Sequence, residues 1–329
     1  MKFYYGKEVS KEFIETKLDW DKGGIISKTA RKLAKLSKEN QLSCYICGGK
    51  RIKKESEFYG INYVRCQKCS LVFATKKPSE TVLDSYYSED QNYSKLAYAN
   101  KKSLKLREDL VQPKIHFIKR FVKGKKWLDV GSADGASVVV INHEGFQGTG
   151  IEISDNSRKF AKKYRNIILN PKPLEVFSRE YKTKWNAISF FGVLEHLSDP
   201  IKALKISHRI MADEGIIAVA VPNYDSLSTH VQQLLDNPDR HLIPYSHSMM
   251  FTLKSLKYAF HRTGFKPLAV WWWGMDMIEF LKYLDRTNEK FVNSQLRGAL
   301  IEKLNQLQEV VDHNQLGDEF MMIGRRYNV

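Results

Sequence analysis

Trp127-Leu128-Asp129-Val130-Gly131-Ser132-Ala133-Asp134-Gly135 is the stretch that decides the fold. Apolar residues run into an acid, two glycines follow four apart, and Ala136, Ser137 and the apolar Val138, Val139, Val140 and Ile141 come next. That order predicts a buried strand, a tight turn and a helix. Gly131 and Gly135 can adopt backbone angles closed to other residues and let a ligand approach the main chain. Glu152 lies 23 residues after Asp129, at the end of a second strand-like run, Gly150-Ile151-Glu152-Ile153. An acid at the tip of the second strand of a βαβ unit can accept hydrogen bonds from a ribose diol. A pyrophosphate-binding turn would read G-x-G-x-x-G. Here an acid precedes the first glycine, which suits a cationic ligand.

Upstream, Cys44-x2-Cys47 and Cys66-x2-Cys69 are separated by 18 residues and are the chain's only cysteines. This spacing predicts a four-thiolate zinc site on two turns, with Gly48 and Gly49 after the first pair. Tyr63-Val64-Arg65 and Leu71-Val72-Phe73 read as its short strands. Four cysteine ligands leave no open position, so the metal is expected to be structural.

Downstream, Ser154 and Asp155 cap a helix expected to reach Tyr164. Ile167-Ile168-Leu169 reads as a third strand and Asn170 to Val176 as a loop. Trp185 to Phe191 reads as a fourth strand, running into Val193-Leu194-Glu195-His196-Leu197. Asp199 and Pro200 open a helix as N-cap and N1. Ile216 to Val221 reads as the fifth strand, closing on Pro222-Asn223. Thr252 caps the next helix, with Phe251 stapling onto Leu256, and Gly264 ends it before a sixth strand near Leu268 to Trp272. A helix over residues 289–311 with Leu296, Leu300, Leu304, Leu307 and Val311 on one face is expected to pack on the sheet, ahead of a last strand from Phe320 to Gly324.

The D-x-G-x-x-x-G turn, the Val193–Pro200 segment, the Pro222-Asn223 strand end and the Phe251-Thr252 to Gly264-Phe265 element together resemble the class I S-adenosylmethionine-dependent methyltransferases. The resemblance covers about residues 125–325. It implies a Rossmann-like seven-stranded α/β sheet, preceded here by the zinc ribbon and a helical linker. It implies S-adenosylmethionine bound by Asp129, Gly131, Ser132, Gly135, Glu152, Ile153, Leu174, Glu175, Phe191 and Glu195. Two departures stand out. Ala133 replaces a usual glycine, which is tolerated with negative φ, and Asn186 stands where many relatives carry an acid. The expected organisation is a helical segment over 1–43, the ribbon over 44–76, a helical linker over 77–124 and the methyltransferase domain over 125–329.

Within 1–43, Ile26, Ala30, Leu33, Ala34 and Leu36 have amphipathic spacing. In the linker, Lys77-Pro78-Ser79 is expected to open a short helix. Tyr86, Tyr87 and Tyr93 follow it, then a basic helix over 94–111 and a second helix from Pro113 to near Gly124.

The 329 residues carry a net charge of +16, very unevenly. Residues 1–126 hold 29 basic and 14 acidic side chains, and residues 127–329 hold 24 and 23. The basic field therefore belongs to the N-terminal third, where it would attract an anionic small molecule, a glycan, RNA or an acidic protein. With 43% hydrophobic residues the chain can bury a core, and it has no apolar run of 18 residues to span a membrane. Met1 to Glu8 lacks the apolar core of a signal peptide, so a cytoplasmic location is expected.

Methyl transfer needs the acceptor atom held about 3–3.5 Å from the methyl carbon and in line with the leaving sulfur. An oxygen acceptor gains from a base that titrates near neutrality, which favours histidine. His196, His241 and His247 are the candidates, with Arg240 available for an anionic group. Trp271-Trp272-Trp273 is expected to be mostly core. The leading expectation is O-methylation of a small-molecule, sugar or glycan substrate in bacterial surface-polysaccharide or secondary metabolism. An RNA methyltransferase gripping phosphates with the basic ribbon is the alternative. A non-catalytic, cofactor-binding interaction protein is the third reading. Oligomeric state is not fixed by these features.

Overall fold

The computed structural model describes residues 1–7, 9, 14, 35–36, 39–77, 79, 101–234, 241–242 and 247–327. The expected amphipathic set Ile26, Ala30, Leu33 and Ala34, the tyrosines Tyr86, Tyr87 and Tyr93, and Arg240 lie outside the described residues. In chain order the strands are β1 (Lys2–Tyr5), β2 (Glu39–Asn40), β3 (Ile52–Phe58), β4 (Ile61–Cys66), β5 (Val72–Ala74), β6 (Lys76–Lys77), β7 (Lys126–Val130), β8 (Gln147–Ile151), β9 (Trp185–Phe191), β10 (Met211–Pro222), β11 (Met249–Met250), β12 (Phe265–Trp273) and β13 (Glu319–Arg326). The helices are α1 (Lys101–Lys119), α2 (Ala136–His143), α3 (Asp155–Phe160), α4 (Leu174–Glu180), α5 (Pro200–Ile210), α6 (Leu227–Leu234), α7 (Leu253–Arg262), α8 (Asp276–Thr287), α9 (Glu289–Val292), α10 (Gln295–Glu302) and α11 (Leu304–His313).

A seven-stranded sheet runs β1-β12-β13-β10-β9-β7-β8. The pairs β1–β12, β10–β9, β9–β7 and β7–β8 are parallel. Parallel strands covered by helices on both faces read as continuous apolar runs, and Ala187, Ile188 and Phe190 of β9 and Ile216 to Val221 of β10 are fully buried. The sheet is Rossmann-like and seven-stranded, as expected, but one of its strands is not the expected one. Ile167 to Leu169 forms no strand, and only a single bridge, Ile151 to Asn170, stands there. The seventh strand is β1, from the extreme N-terminus, where Lys2 to Tyr5 pair with Ala269 to Trp272.

The chain divides into two compact units. One comprises Met1–Pro78, Val221–Leu256 and Ala269–Met321. In it the strands beside the cysteine turns form a second sheet, β11-β5-β4-β3, to which Met249 and Met250 contribute an antiparallel strand. Phe58, Ile61, Tyr63, Val72 and Ala74 pack with Tyr224, Leu242 and Met250 in one buried cluster. Lys77 pairs with Glu39 in a two-stranded ladder, and the short helix expected to open at Lys77-Pro78-Ser79 lies mostly outside the described residues. All three tryptophans Trp271, Trp272 and Trp273 are buried, and Trp272 packs tilted against Phe320 with centroids 4.8 Å apart. The expected helix over 289–311 is instead three short helices, α9, α10 and α11. Asn288 and Ser294 side chains cap the first two, and such capping hydroxyls and amides compete with helix continuation. Leu296 is consequently solvent-exposed, while Gln308 and Asp312 of α11 are buried with Leu304 and Val311.

The other unit comprises Ser79–Ala220, Lys257–Leu268 and Met322–Val329. Here α1 runs straight through Pro113, where two helices were expected. Proline removes one backbone bond, but burial of Leu106, Ile115 and Ile118 carries the helix past it. Asp199 caps α5 by accepting from Lys202 N–H at 2.8 Å, with Pro200 in the first turn. The residues read as a loop before β9 are partly helical, because α4 already begins at Leu174. Among the described residues no helix is long and apolar enough to cross a membrane.

Candidate cofactor site and metal centre

The cofactor turn leaves β7 at its carboxyl end. Gly131 has φ +73° and Gly135 +77°. A Cβ at Gly131 would lie 2.5 Å from Val193 Cγ2, so this position excludes a side chain twice over, by backbone and by space. Gly131 and Ser132 both donate N–H to the Ile151 carbonyl, at 2.9 and 3.1 Å, which ties the turn to the end of β8. Ala133 was expected to keep a negative φ. Its φ is +47°, a left-handed conformation that costs a β-carbon-bearing residue roughly 1–2 kcal/mol. The compensation is visible in Glu152, whose Oε2 accepts Ala133 N–H at 2.9 Å and whose Oε1 accepts Ser154 N–H at 2.8 Å. A carboxylate has about four acceptor sites, so two remain for a diol once the backbone has fixed its orientation.

Asp129 is buried at 2% exposure. It accepts from Ser137 Oγ and from Ser189 Oγ, the latter at 2.5 Å, and Ser189 in turn accepts from Trp127 Nε1 at 2.9 Å. Burial pushes its carboxyl up to about 6 against those two hydroxyl donors. Asp134, which the sequence did not single out, is also buried and carries a buried ion-pair network. Arg165 Nη2 lies 2.6 Å from Asp134 Oδ2, with both side chains almost wholly buried. Arg165 Nη1 meets Glu108 Oε1 at 2.5 Å, and its Nη2 also reaches the Leu104 carbonyl at 3.2 Å.

The remaining expected cofactor residues of this unit have varied surroundings. Ile153 is exposed and Leu174 buried. Glu175 pairs with Lys202 at 2.5 Å and Arg179 at 2.7 Å, and the lysine holds its carboxyl below the usual range. Phe191 is half-buried, with the Lys114 ammonium 5.6 Å from its ring centroid. Glu195 is buried on a 3-10 turn, Leu194–His196, and half-buried His196 follows it, its Nε2 4.0 Å from Glu195 Oε1.

The four thiols come together in the other unit. Their sulfurs all lie within 4.8 Å of one another, with Cys44 to Cys69 and Cys47 to Cys66 each 3.4 Å. A zinc ion with bonds of about 2.3 Å places tetrahedral sulfurs about 3.8 Å apart, so this set fits it, and all four cysteines are free thiols. Two matching knuckles aim the sulfurs. Gly48 N–H donates to the Cys44 carbonyl and Ser70 N–H to the Cys66 carbonyl, each at 2.8 Å. Gly48 and Ser70 occupy equivalent places and both have positive φ, +69° and +65°. The Cys69 thiol beside Cys44 holds Cys44 down to about 5 and is itself pushed up.

Comparison with known proteins decides what this arrangement is. Residues 104–270 match the model of the methyltransferase domain family. The chain belongs to that family. It carries a methyltransferase domain over residues 104–270. An uncharacterized protein of Methanocaldococcus jannaschii is 28% identical over 159 residues, 46% of this chain and 57% of that protein. The chain therefore spans just over half the length of the curated relative it matches. Among solved structures, a SAM-dependent methyltransferase from Archaeoglobus fulgidus is similar at 14% identity and TM-score 0.46, covering 75% of this chain and 100% of that one. The magnesium protoporphyrin IX methyltransferase of Synechocystis, solved with bound SAH, is similar at 10% identity and TM-score 0.47, covering 76% and 100%.

The other two histidine candidates sit side by side in the unit that carries the cysteines. The rings of His241 and His247 are 5.4 Å apart, and His247 Nδ1 lies 3.1 Å from the His241 carbonyl. His241 is buried, with Nε2 3.5 Å from Asp318 Oδ2. Asp318 belongs to a buried group that sequence reading missed, with Asp276, Gln308 and Asp312. Asp318 N–H donates to Asp276 Oδ2 at 2.9 Å, and Gln308 Nε2 donates to Asp276 Oδ2 at 3.1 Å and to Asp312 Oδ1 at 2.9 Å. The signal available in the sequence was weak: Asp312 falls four residues after Gln308 on one helix, on the side that the leucine spacing reserved for solvent.

Proposed function

We propose that this enzyme transfers a methyl group to an oxygen of an anionic small-molecule, sugar or glycan substrate. Bound S-adenosylmethionine would supply the electrophilic methyl and its sulfonium leaving group. Gly131, Ser132 and Gly135 would admit the cofactor to the main chain, and Glu152 would accept its ribose hydroxyls. Asp129 would act from beneath the turn as a negative charge, and Ile153, Leu174, Glu175, Phe191 and Glu195 would complete the surround. His196, His241 or His247 would take the acceptor proton, since an imidazole changes charge near neutrality. Cys44, Cys47, Cys66 and Cys69 would hold a structural zinc ion, leaving no position for substrate.

The observation that carries the small-molecule reading is charge. Residues 127–329 hold 24 basic against 23 acidic side chains, a net of +1, too balanced to grip a polyphosphate backbone by itself. The basic N-terminal third, with 29 against 14, supports attraction of an anionic acceptor and keeps RNA as the second reading. The deciding experiment incubates the protein with methyl-labelled S-adenosylmethionine and fractionated cell extract, with Glu152→Ala as control. Label in glycans or nucleotide sugars is expected. Label in RNA would refute the first reading, and bound cofactor with no label in any fraction would favour a non-catalytic role.

A further inference from the structure

Arg165 and Asp134 cannot touch a ligand, since their side chains are 2% and 4% exposed. They nonetheless sit directly behind the cofactor turn. Arg165 Nε and Nη2 both grip Asp134 Oδ2, at 3.1 and 2.6 Å, while Asp134 Oδ1 accepts the Ala136 N–H at 3.3 Å at the start of α2. On α1 the guanidinium is held by Glu108 Oε1, which accepts from Nη1, and by the Leu104 carbonyl, which accepts from Nη2. Arg107, also on α1, stands 3.9 Å from Asp134 Oδ1. The residue immediately before Asp134 is Ala133, the one held in a left-handed conformation and the one whose N–H fixes Glu152 Oε2. A strained conformation of this kind persists only where its surroundings over-determine it.

We propose that Arg165 and Asp134 are positioning residues for the cofactor's ribose, keeping Ala133 left-handed so that its N–H orients Glu152. Helix α1 thereby becomes part of the cofactor site, through Glu108 and Leu104. The planar fork of arginine is needed, because one side chain must bind a carboxylate with two nitrogens and still reach two partners on another element. This inference rests on the reading that Glu152 receives the ribose diol.

The test compares equilibrium affinities for S-adenosylhomocysteine and its 2′-deoxy analogue, using the full chain. The ratio of the two affinities reads the orientation of Glu152 and is blind to a general loosening, which lowers both together. Wild type is expected to prefer S-adenosylhomocysteine, and Glu152→Ala to lose that preference. Arg165→Lys is expected to cut the preference about five- to tenfold, the scale of one lost hydrogen bond, with affinity for the 2′-deoxy analogue unchanged. Glu108→Gln, at a partly exposed side chain, serves as the mild variant that leaves the Asp134–Arg165 pair intact, and should shift the ratio in the same direction by less. A full preference in both folded variants, with Glu152→Ala having lost it, would overturn the positioning role alone. A preference retained in Glu152→Ala would instead overturn the ribose reading, and the inference with it.

Discussion

Asp312→Asn should flatten the pH dependence of stability of the unit that carries the four cysteines. Asp312 is 1% exposed and receives one hydrogen bond, from Gln308 Nε2 at 2.9 Å on Oδ1, while its Oδ2 is buried without a hydrogen-bond partner. Burial first, and then the charges of Asp276, Asp318 and Glu309, push its carboxyl up to about 8, against the Gln308 bond that lowers it. The folded pKa therefore lies above the unfolded one, near 3.8. Between these values the folded protein holds a proton that the unfolded chain has released. Stability from this group is full below about pH 4 and is lost as pH rises through about 8, at up to about 1.4 kcal/mol per pH unit. From pH 6 to pH 8 the loss is about 2 kcal/mol for Asp312 alone. Asp276, pushed to about 7 by burial and by the Asp318 charge, adds about 1 kcal/mol over the same window. The two titrate as a linked set. Asparagine keeps the Oδ1 acceptor but cannot ionise. Its buried amide nitrogen costs about 1–3 kcal/mol at every pH, so the slope and not the absolute stability carries the test. Urea unfolding followed by tryptophan fluorescence at pH 6, 7 and 8 measures it, since Trp271, Trp272 and Trp273 report on the same unit. Wild type should lose about 2 kcal/mol more than the variant between pH 6 and pH 8. Equal losses in the two proteins would refute the assignment of a proton to Asp312.

Further outcomes follow from the same geometry. Purified protein should contain one zinc per chain by elemental analysis, and Cys69→Ser should lower that content and unfold β3 to β5, because binding of the metal is itself folding free energy. Gly131→Ala should destabilise the protein by about 1–3 kcal/mol and abolish cofactor binding by calorimetry, since the new Cβ would meet Val193 Cγ2 at 2.5 Å. Asp199→Ala removes the cap that accepts Lys202 N–H and should cost about 1 kcal/mol in urea unfolding, with cofactor affinity unchanged.

Local chemistry made much of this protein legible in its sequence. The nine residues from Trp127 to Gly135 have few ways to satisfy an apolar run, two glycines and a helix start, so strand, turn and helix followed from them. Two C-x2-C pairs place four sulfurs on two knuckles for the same reason, and Asp199-Pro200 can only begin a helix. Tertiary structure decided everything that depends on partners distant in the chain. Nothing local in Lys2 to Tyr5 says that they complete the sheet beside Ala269 to Trp272. Ser70 takes the positive φ that Gly48 takes in the matching knuckle, because the N–H bond back to the first cysteine's carbonyl and not the residue type sets that angle. Ala133 is left-handed because Glu152, 19 residues away, needs its N–H, and Arg165 is buried because Asp134 and Glu108 meet it there. No local pattern places the aspartates of α8 and α11 together, and folding gathers them around Gln308. Sequence by itself determined which short segments could form strands, turns, caps and knuckles, since those depend on φ preferences and side chains a few residues apart. The strand that closes the sheet, and which charges are buried, were decided only when residues far apart in the chain came into contact and excluded water.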